Sequence, residues 1–380
     1  MGMDIQTTQP VVTEANLTEW LRFSYLELNP QKCRSVLSRF GDSPVQLFEE
    51  GVGALRARCP DLTERQYTRF SEASTRDFDK DLLTLTRLGG TLLHHKDADY
   101  PSSLSQLPDS PVILFLRGKL SQDDRFSIAI VGSRRASAYG LSLAAHFSRE
   151  LCKHKLTIVS GGARGVDTRA HAGAVEAGGR TIAFIGSGLD VTYPAENKKL
   201  FEQIVESGGA IATEYPIGAR PEPWRFPARN RLISGLSLGV LVVESPVDSG
   251  SMITAREAGD QGREVFAIPG PIDTGRNAGC HKLIQDGAKL VQVPEDILDE
   301  LGVLTLRAPE GSETPRAAAV RDLPPMEAKI LNMLTLEART TDSLIVESAL
   351  TAPQVTGILT LLEMRGLARR VPGNAFVRVL

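Results

Sequence analysis

The stretch Ser127-Ile128-Ala129-Ile130-Val131-Gly132-Ser133-Arg134-Arg135 decides the fold. Five uncharged residues rich in β-branched side chains run into a glycine and two arginines, and a helical pattern follows over Ala138–Lys153. An apolar strand without polar alternation must be buried on both faces, as the central strand of a parallel sheet is. The same rhythm recurs downstream. Strands are expected at Thr157–Val159, Thr181–Ile185, Ala210–Ala212, Val240–Val243 and Glu264–Ala267, with helices over Asp167–Ala177 and Ala195–Ser207 among those between them. Strands alternating with amphipathic helices specify an α/β fold with a doubly wound parallel sheet. Two more apolar runs, Thr91–Leu93 and Val112–Leu116, open this domain, which is expected to span 91–302.

Outward from that centre the pattern changes. Residues 1–15 read as a flexible tail. Residues 16–90 read as a small helical domain, with Trp20, Leu21, Tyr25, Leu28, Val36, Leu37 and Phe40 at helical spacing and breaks at Asn29-Pro30 and Gly41–Pro44. A Pro-, Gly- and Ser-bearing stretch around Arg307–Pro315 marks a linker over 303–319. Three helices and a hairpin turning at Pro372-Gly373-Asn374 give 320–380 the order of a winged helix.

Composition limits the function. In 380 residues, 43 Lys and Arg stand against 46 Asp and Glu, a net charge of −3. That excludes a uniformly basic coat for nucleic acid but allows a local basic groove. The four cysteines form no C-x-x-C pair, so no disulfide framework, metal site or cofactor is expected, and a reducing cytoplasm is the default. The N-terminus lacks the layout of a signal peptide, and no apolar run approaches the ~18–20 residues of a membrane span.

The candidate chemistry lies in loops that follow strands. Gly132-Ser133-Arg134 joins the first strand to its helix, where free N–H groups and a guanidinium suit an anion. Ser160-Gly161-Gly162-Ala163-Arg164-Gly165 repeats the arrangement, and Ser249-Gly250-Ser251 offers a third nest of amides. Asp167 and His171, four apart, allow either a hydrolytic base with its orienter or a dipole-stabilised carboxylate beside a packed histidine. The packed pair is favoured, because no nucleophile accompanies them. Between the later strands, Arg220, Arg225, Arg229 and Arg231 surround Trp224 and Phe226 in a proline-stiffened loop that also holds Asn230. Arginine grips phosphates and aromatic faces stack on unpaired bases, at about 1–3 kcal/mol per base. Stacking is favoured for Phe226; for Trp224, stacking and anchoring to the core stand equal. Several anion-seeking loops on one sheet edge fit a polymer of phosphates better than a single small cofactor.

These residues, with Tyr193-Pro194, Phe226 through Ser237, Glu244 through Ala255 and Pro269-Gly270, resemble the DNA-processing protein A family, also called Smf. The resemblance covers roughly 91–295. It implies an extended Rossmann domain that binds single-stranded DNA without catalysis, flanked by a SAM-like helical domain and a winged helix. It implies a homodimer through the C-terminal part of the Rossmann domain, and loading of a RecA-type recombinase where single-strand-binding protein must yield. By the same resemblance Arg134 grips phosphate, Phe226 meets a base, and Gly161-Gly162 and Ser249-Gly250-Ser251 form backbone cradles. Lys198 lies near a lysine that some relatives use.

Two departures stand out. Asn29-Pro30-Gln31-Lys32 replaces a glycine-bearing hairpin between early helices, so no duplex contact is expected there. The winged-helix recognition position shows Gln354, Thr356, Gly357, Thr360 and Glu363, and protein docking suits it better than groove reading. Only the wing, through Arg369, Arg370 and Arg378, could reach phosphates. The rival class is a Rossmann nucleotide phosphoribohydrolase of the lysine-decarboxylase-like group. Pro269-Gly270-Pro271-Ile272 breaks that group's P-G-G-x-G-T-x-x-E segment.

Overall fold

The computed structural model describes residues 11–302, 323–335, 339–348, 350–364, 367–371 and 375–378. Most of the expected tail and all of the expected linker lie outside them, as does the turn at 372–374. The chain divides into two units, residues 1–301 and 302–380.

Apolar spacing and capping residues build five helices at the start of the first unit: α1 (Leu17–Tyr25), α2 (Pro30–Ser38), α3 (Pro44–Arg58), α4 (Glu64–Thr75) and α5 (Asp79–Arg87). Asn29 caps α2 through Lys32 N–H with Pro30 in the first turn, and Thr63 and Gln66 form a reciprocal capping box on α4. Trp20, Phe40, Leu47, Leu55 and Phe70 are fully buried between these helices. Burying each such side chain contributes about 1.5–3 kcal/mol.

The sheet has nine strands: β1 (Gly90–His94), β2 (Ile113–Gly118), β3 (Ser127–Val131), β4 (Thr157–Ser160), β5 (Thr181–Phe184), β6 (Ala210–Thr213), β7 (Gly239–Val242), β8 (Glu264–Ala267) and β9 (Lys289–Leu290). Their order is β1-β2-β6-β5-β4-β3-β7-β8-β9. Strands β3 to β9 pair in parallel, and every residue of β3 is buried. The doubly wound parallel sheet expected from the sequence is extended at one edge by antiparallel strands. Strands β1 and β2, joined through residues 95–112 with the short helix Ser102–Ser105 between them, run antiparallel to each other, and β2 runs antiparallel to β6. Helices α6 (Ser102–Ser105), α7 (Ala138–Lys153), α8 (Val166–Glu176), α9 (Lys198–Glu206), α10 (Arg225–Leu236), α11 (Gly250–Asp260), α12 (Ala278–Gln285) and α13 (Pro294–Leu301) complete the unit.

The helical domain does not keep a separate interior. Its buried side chains share one cluster with Phe115, Ile185, Phe201 and Ile211 from the sheet and α9, so it packs directly onto the Rossmann layer. A second cluster, including Leu114, Val131, Leu232 and Val242, fills the opposite side.

In the second unit, α14 (Pro325–Met333), α15 (Thr341–Ser348) and α16 (Ala352–Met364) precede β11 (Ala368–Val371) and β12 (Ala375–Arg378), and β12 pairs with both β11 and the short β10 (Arg339–Thr340). This is a winged helix. Gln354, Thr356, Gly357, Thr360 and Glu363 are all exposed on α16, and the helix has no Lys or Arg. Among the described residues no single helix is long and apolar enough to cross a membrane.

Candidate nucleic-acid interface

The chain leaves β3 through α7 toward β4, and leaves β7 through α11 toward β8, on the other side. Two neighbouring parallel strands whose connections diverge open a crevice beyond their C-terminal ends. Here it is a cleft of about 790 Å³. Gly132, Ser133 and Arg134 line one side, Ser249, Gly250 and Ser251 another; Phe226, Arg229 and Asn230 of α10 form a wall, and Thr274–Arg276 close the far end.

Glu244, just beyond β7, ties these loops together. Its backbone oxygen accepts from Ser133 N–H at 2.7 Å. Its buried carboxylate accepts from the N–H and hydroxyl of Ser137 at 2.9 and 2.5 Å. Ser137 Oγ in turn caps α7 by accepting from Gly140 N–H at 3.1 Å. The β3 loop is thereby pinned at both ends, and Arg134 projects outward from it. Among the described residues Arg134 has no ion pair; its guanidinium lies 5.2 Å from the centre of the Phe226 ring. Phe226 also touches Tyr193, centre to centre 5.5 Å at 41°, and a Cβ on Gly186 would come within 3.1 Å of its ring. A small slot of about 30 Å³ is lined by Arg134, Gly161, Arg164, Tyr193 and Phe226. A cation over an aromatic face, beside open space on a sheet edge, can hold a phosphate and stack a base.

The serines form the opposite rim. Ser249 Oγ lies 2.6 Å from Ser245 Oγ and 2.5 Å from Ser251 Oγ, so it does not cap α11. The amides of the first turn at Gly250 and Ser251 are left without a side-chain acceptor, beside open space at Gly250. Asn230 Nδ2 donates to Gly250 O at 3.3 Å and joins this rim to α10.

Several expected contacts serve the fold instead. The arginine-rich segment is not a loop: α10 begins at Arg225 and carries the later arginines inward. Arg231 is buried, its Nε 2.6 Å from Asp109 and its two terminal nitrogens each 2.7 Å from the Glu214 carboxylate. Arg229, 4% exposed, donates to the carbonyls of Gly161 and Phe184, although its edge lines the cleft. Ser160 is wholly buried and donates to Ile130 O. Lys198 is exposed on α9 away from the cleft lining, and Arg164 is paired with Glu196. The glycines make room for protein. A Cβ on Gly132 would meet Val166 and Glu244 O within 2.9 Å, on Gly161 the side chains of Arg229 and Asp167, and on Gly162 the Phe201 ring.

Asp167 and His171 do not act together. His171 is wholly buried with Nδ1 2.7 Å from Thr181 Oγ1, and burial pushes it down to about 3. Asp167 lines the cleft; burial pushes its carboxyl up to about 6, against the opposing pull of Arg229 and the Ala163 N–H. Three residues to which the sequence assigned no site role also contribute: Arg135 and Arg276, which add exposed cations to the cleft, and Tyr193, which buttresses Phe226. Arg276 follows β8, and a basic residue after the strand next to the switch point was the available signal.

Comparison with known proteins agrees with this architecture. The family model for DNA recombination-mediator protein A matches residues 91–302, and that of the DprA winged helix domain matches 314–374. Protein Smf of Escherichia coli is 36% identical over 351 residues, 91% of this chain and 94% of that one. The X-ray structure of DNA processing protein A from Streptococcus pneumoniae superposes with a TM-score of 0.62 at 37% identity, over 77% of this chain and 99% of that one. DNA processing protein A of Helicobacter pylori, whose structure is described by its single-stranded DNA binding mode, gives 0.50 at 30% identity over 56% of this chain and 95% of that one. With the Rossmann domain and the winged helix both matched by family models and a 36% identical relative spanning 91% of this chain, the chain belongs to the DprA/Smf family of DNA-processing recombination mediators.

Proposed function

We propose that the β3–β7 cleft binds single-stranded DNA and that the protein delivers the strand to a RecA-type recombinase without cutting or altering it. The observation that carries this reading is the exposed Arg134 guanidinium, without an ion pair among the described residues, set over Phe226 at the mouth of the cleft. Such a pair takes one phosphate and one unpaired base with little regard to sequence. The amides of Ser249–Ser251 would receive the next phosphates, and Arg135 and Arg276 would neutralise more of the backbone. Single-strand-binding protein competes for the same polymer and must be displaced. Catalysis is not part of the proposal: the buried His171 offers no base to the cleft, and Pro269-Gly270-Pro271 departs from the phosphoribohydrolase segment. Release of free base from a nucleoside monophosphate would revive that rival.

Dimerisation is proposed through the C-terminal part of the Rossmann domain, where the edge strand β9 shows exposed Leu290 and is followed by exposed Val293. Two joined clefts would lengthen the track along one strand and raise affinity through effective concentration. For the winged helix a protein-docking role is proposed, since α16 brings no cation to a DNA groove.

Two measurements test this reading. Binding of oligodeoxythymidylate should weaken with salt, with a log–log slope of roughly −2 if the three exposed cleft arginines each neutralise one phosphate. A flat response contradicts a phosphate-gripping cleft. Affinity should also depend on pH through Asp167. Its carboxyl is raised from the ordinary 3.8 to about 6, so above pH 6 an anion lines the cleft and repels phosphate. Binding should strengthen about three- to tenfold as pH falls from about 7.5 to about 5.5, and Asp167→Asn should flatten that change. The same shift works against stability at neutral pH: the folded state takes up this proton before the unfolded one, so stability falls as pH rises from about 4 to about 6.

A further inference from the structure

The chain has two tryptophans in opposite settings. Trp20 is 1% exposed within the helical core; Trp224 is 56% exposed immediately before α10, two residues ahead of Phe226. Trp224 lies outside the cleft lining, whereas Pro221 and Pro223 just before it are part of that lining. An indole serving as a core anchor would be buried, and this one is not. Neither does it hang loose. Tyr215 meets its ring edge-on at 6.0 Å and 87°, and the Arg225 guanidinium lies 5.1 Å from its centre.

Arg225 is a fixed brace. It is buried, donates to Glu27 at 2.8 Å and to Arg220 O at 3.1 Å, and lies 4.6 Å from the Tyr215 ring. Glu27, from the helical domain, is itself held by Arg69 at 3.2 Å. The indole is thus supported from within the protein while much of its surface faces solvent. Beside it in sequence, Arg220 is exposed and has no ion pair among the described residues. A braced aromatic ring with an exposed arginine four residues before it in sequence offers the same two kinds of group as Phe226 and Arg134, just outside the cleft lining.

We infer that Trp224 is a second base-stacking platform: a strand leaving the cleft across Pro223 lays an unpaired nucleobase on the indole, with Arg220 on its phosphate. The helical domain takes part only through Glu27, which holds the brace. This rests on the proposed binding of single-stranded DNA in the cleft and extends that site along the strand.

The two tryptophans make the test direct. In full-length Trp20→Phe protein, tryptophan emission reports Trp224 alone. Oligodeoxythymidylates of about 4 to about 12 nucleotides are titrated while binding is followed independently by anisotropy of a fluorescent label on the DNA. Bound oligonucleotide should quench Trp224 and shield it from iodide, more for long strands than for the shortest ones that bind. Trp224→Ala should weaken the longer strands roughly tenfold, while Trp224→Phe retains most of the affinity. Oligonucleotides that bind by anisotropy but leave emission and iodide access unchanged would overturn the inference and leave the cleft reading intact. Quenching without loss of affinity in Trp224→Ala would also overturn it, since the ring would then be a bystander. Absence of binding by anisotropy would defeat the cleft reading itself, and this extension with it.

Discussion

Arg134→Ala is expected to weaken single-stranded DNA binding by about 2 kcal/mol, roughly thirtyfold, with no change in melting temperature. A charge-assisted hydrogen bond to phosphate carries most of that figure, because among the described residues Arg134 forms no ion pair that would compete for the phosphate. Its contact with Phe226 adds a smaller part: without the cation, the ring loses that neighbour and keeps Tyr193. Arg134 is exposed, so its removal empties no core, and the buried Asp167 carboxyl, which also feels its charge, keeps the larger pull of Arg229. The measurement is oligonucleotide anisotropy beside a thermal melt of the same preparations. Unchanged affinity, or a lower melting temperature that accounts for the loss, would take Arg134 out of the binding site.

Arg231→Ala should do the reverse, lowering stability by about 3–5 kcal/mol while the folded fraction still binds DNA. The Arg231 guanidinium is almost fully engaged, with Asp109 on one edge and Glu214 on the other. Glu214 is largely buried, so alanine would leave its carboxylate without its cation; Asp109, with a more exposed side chain, can turn to water and hold the cost toward the lower end. Arg231→Ala combined with Glu214→Gln should recover part of the loss, because the stranded charge is gone. Urea unfolding measures both variants. A stability loss below about 1 kcal/mol together with lost DNA binding would place Arg231 at the interface after all.

The contrast between Arg134 and Arg231 shows how far the sequence could be read. The uncharged run at Ser127–Val131, apolar from Ile128 onward, reads as a central strand, and the glycine-bearing loops after it and its parallel neighbours had to fall on one edge because parallel strands all end there. The winged-helix order was equally legible, since helix and hairpin periods differ. Side-chain direction was not. Arginines at 225, 229 and 231 look alike in the sequence, but on α10 they turn inward to Glu27, to the Gly161 and Phe184 carbonyls, and to Asp109 and Glu214. Partners as far apart as residues 27 and 225 leave no local trace. Nor does a glycine reveal whether it makes room for a ligand or, as Gly132 does, for Glu244 and Val166. The antiparallel edge went unseen for a similar reason: an apolar run does not carry its direction, and only pairing of β2 with β6 sets it.

The central claim is that unpaired DNA lies in the cleft between the ends of β3 and β7. A crystal structure of the protein with oligodeoxythymidylate tests it most directly. The account predicts a phosphate within hydrogen-bonding reach of the Arg134 guanidinium, a base against Phe226, and the backbone passing the amides of Gly250 and Ser251. An empty cleft with the strand bound on the winged helix, or on the outer face of the helical domain, would contradict it.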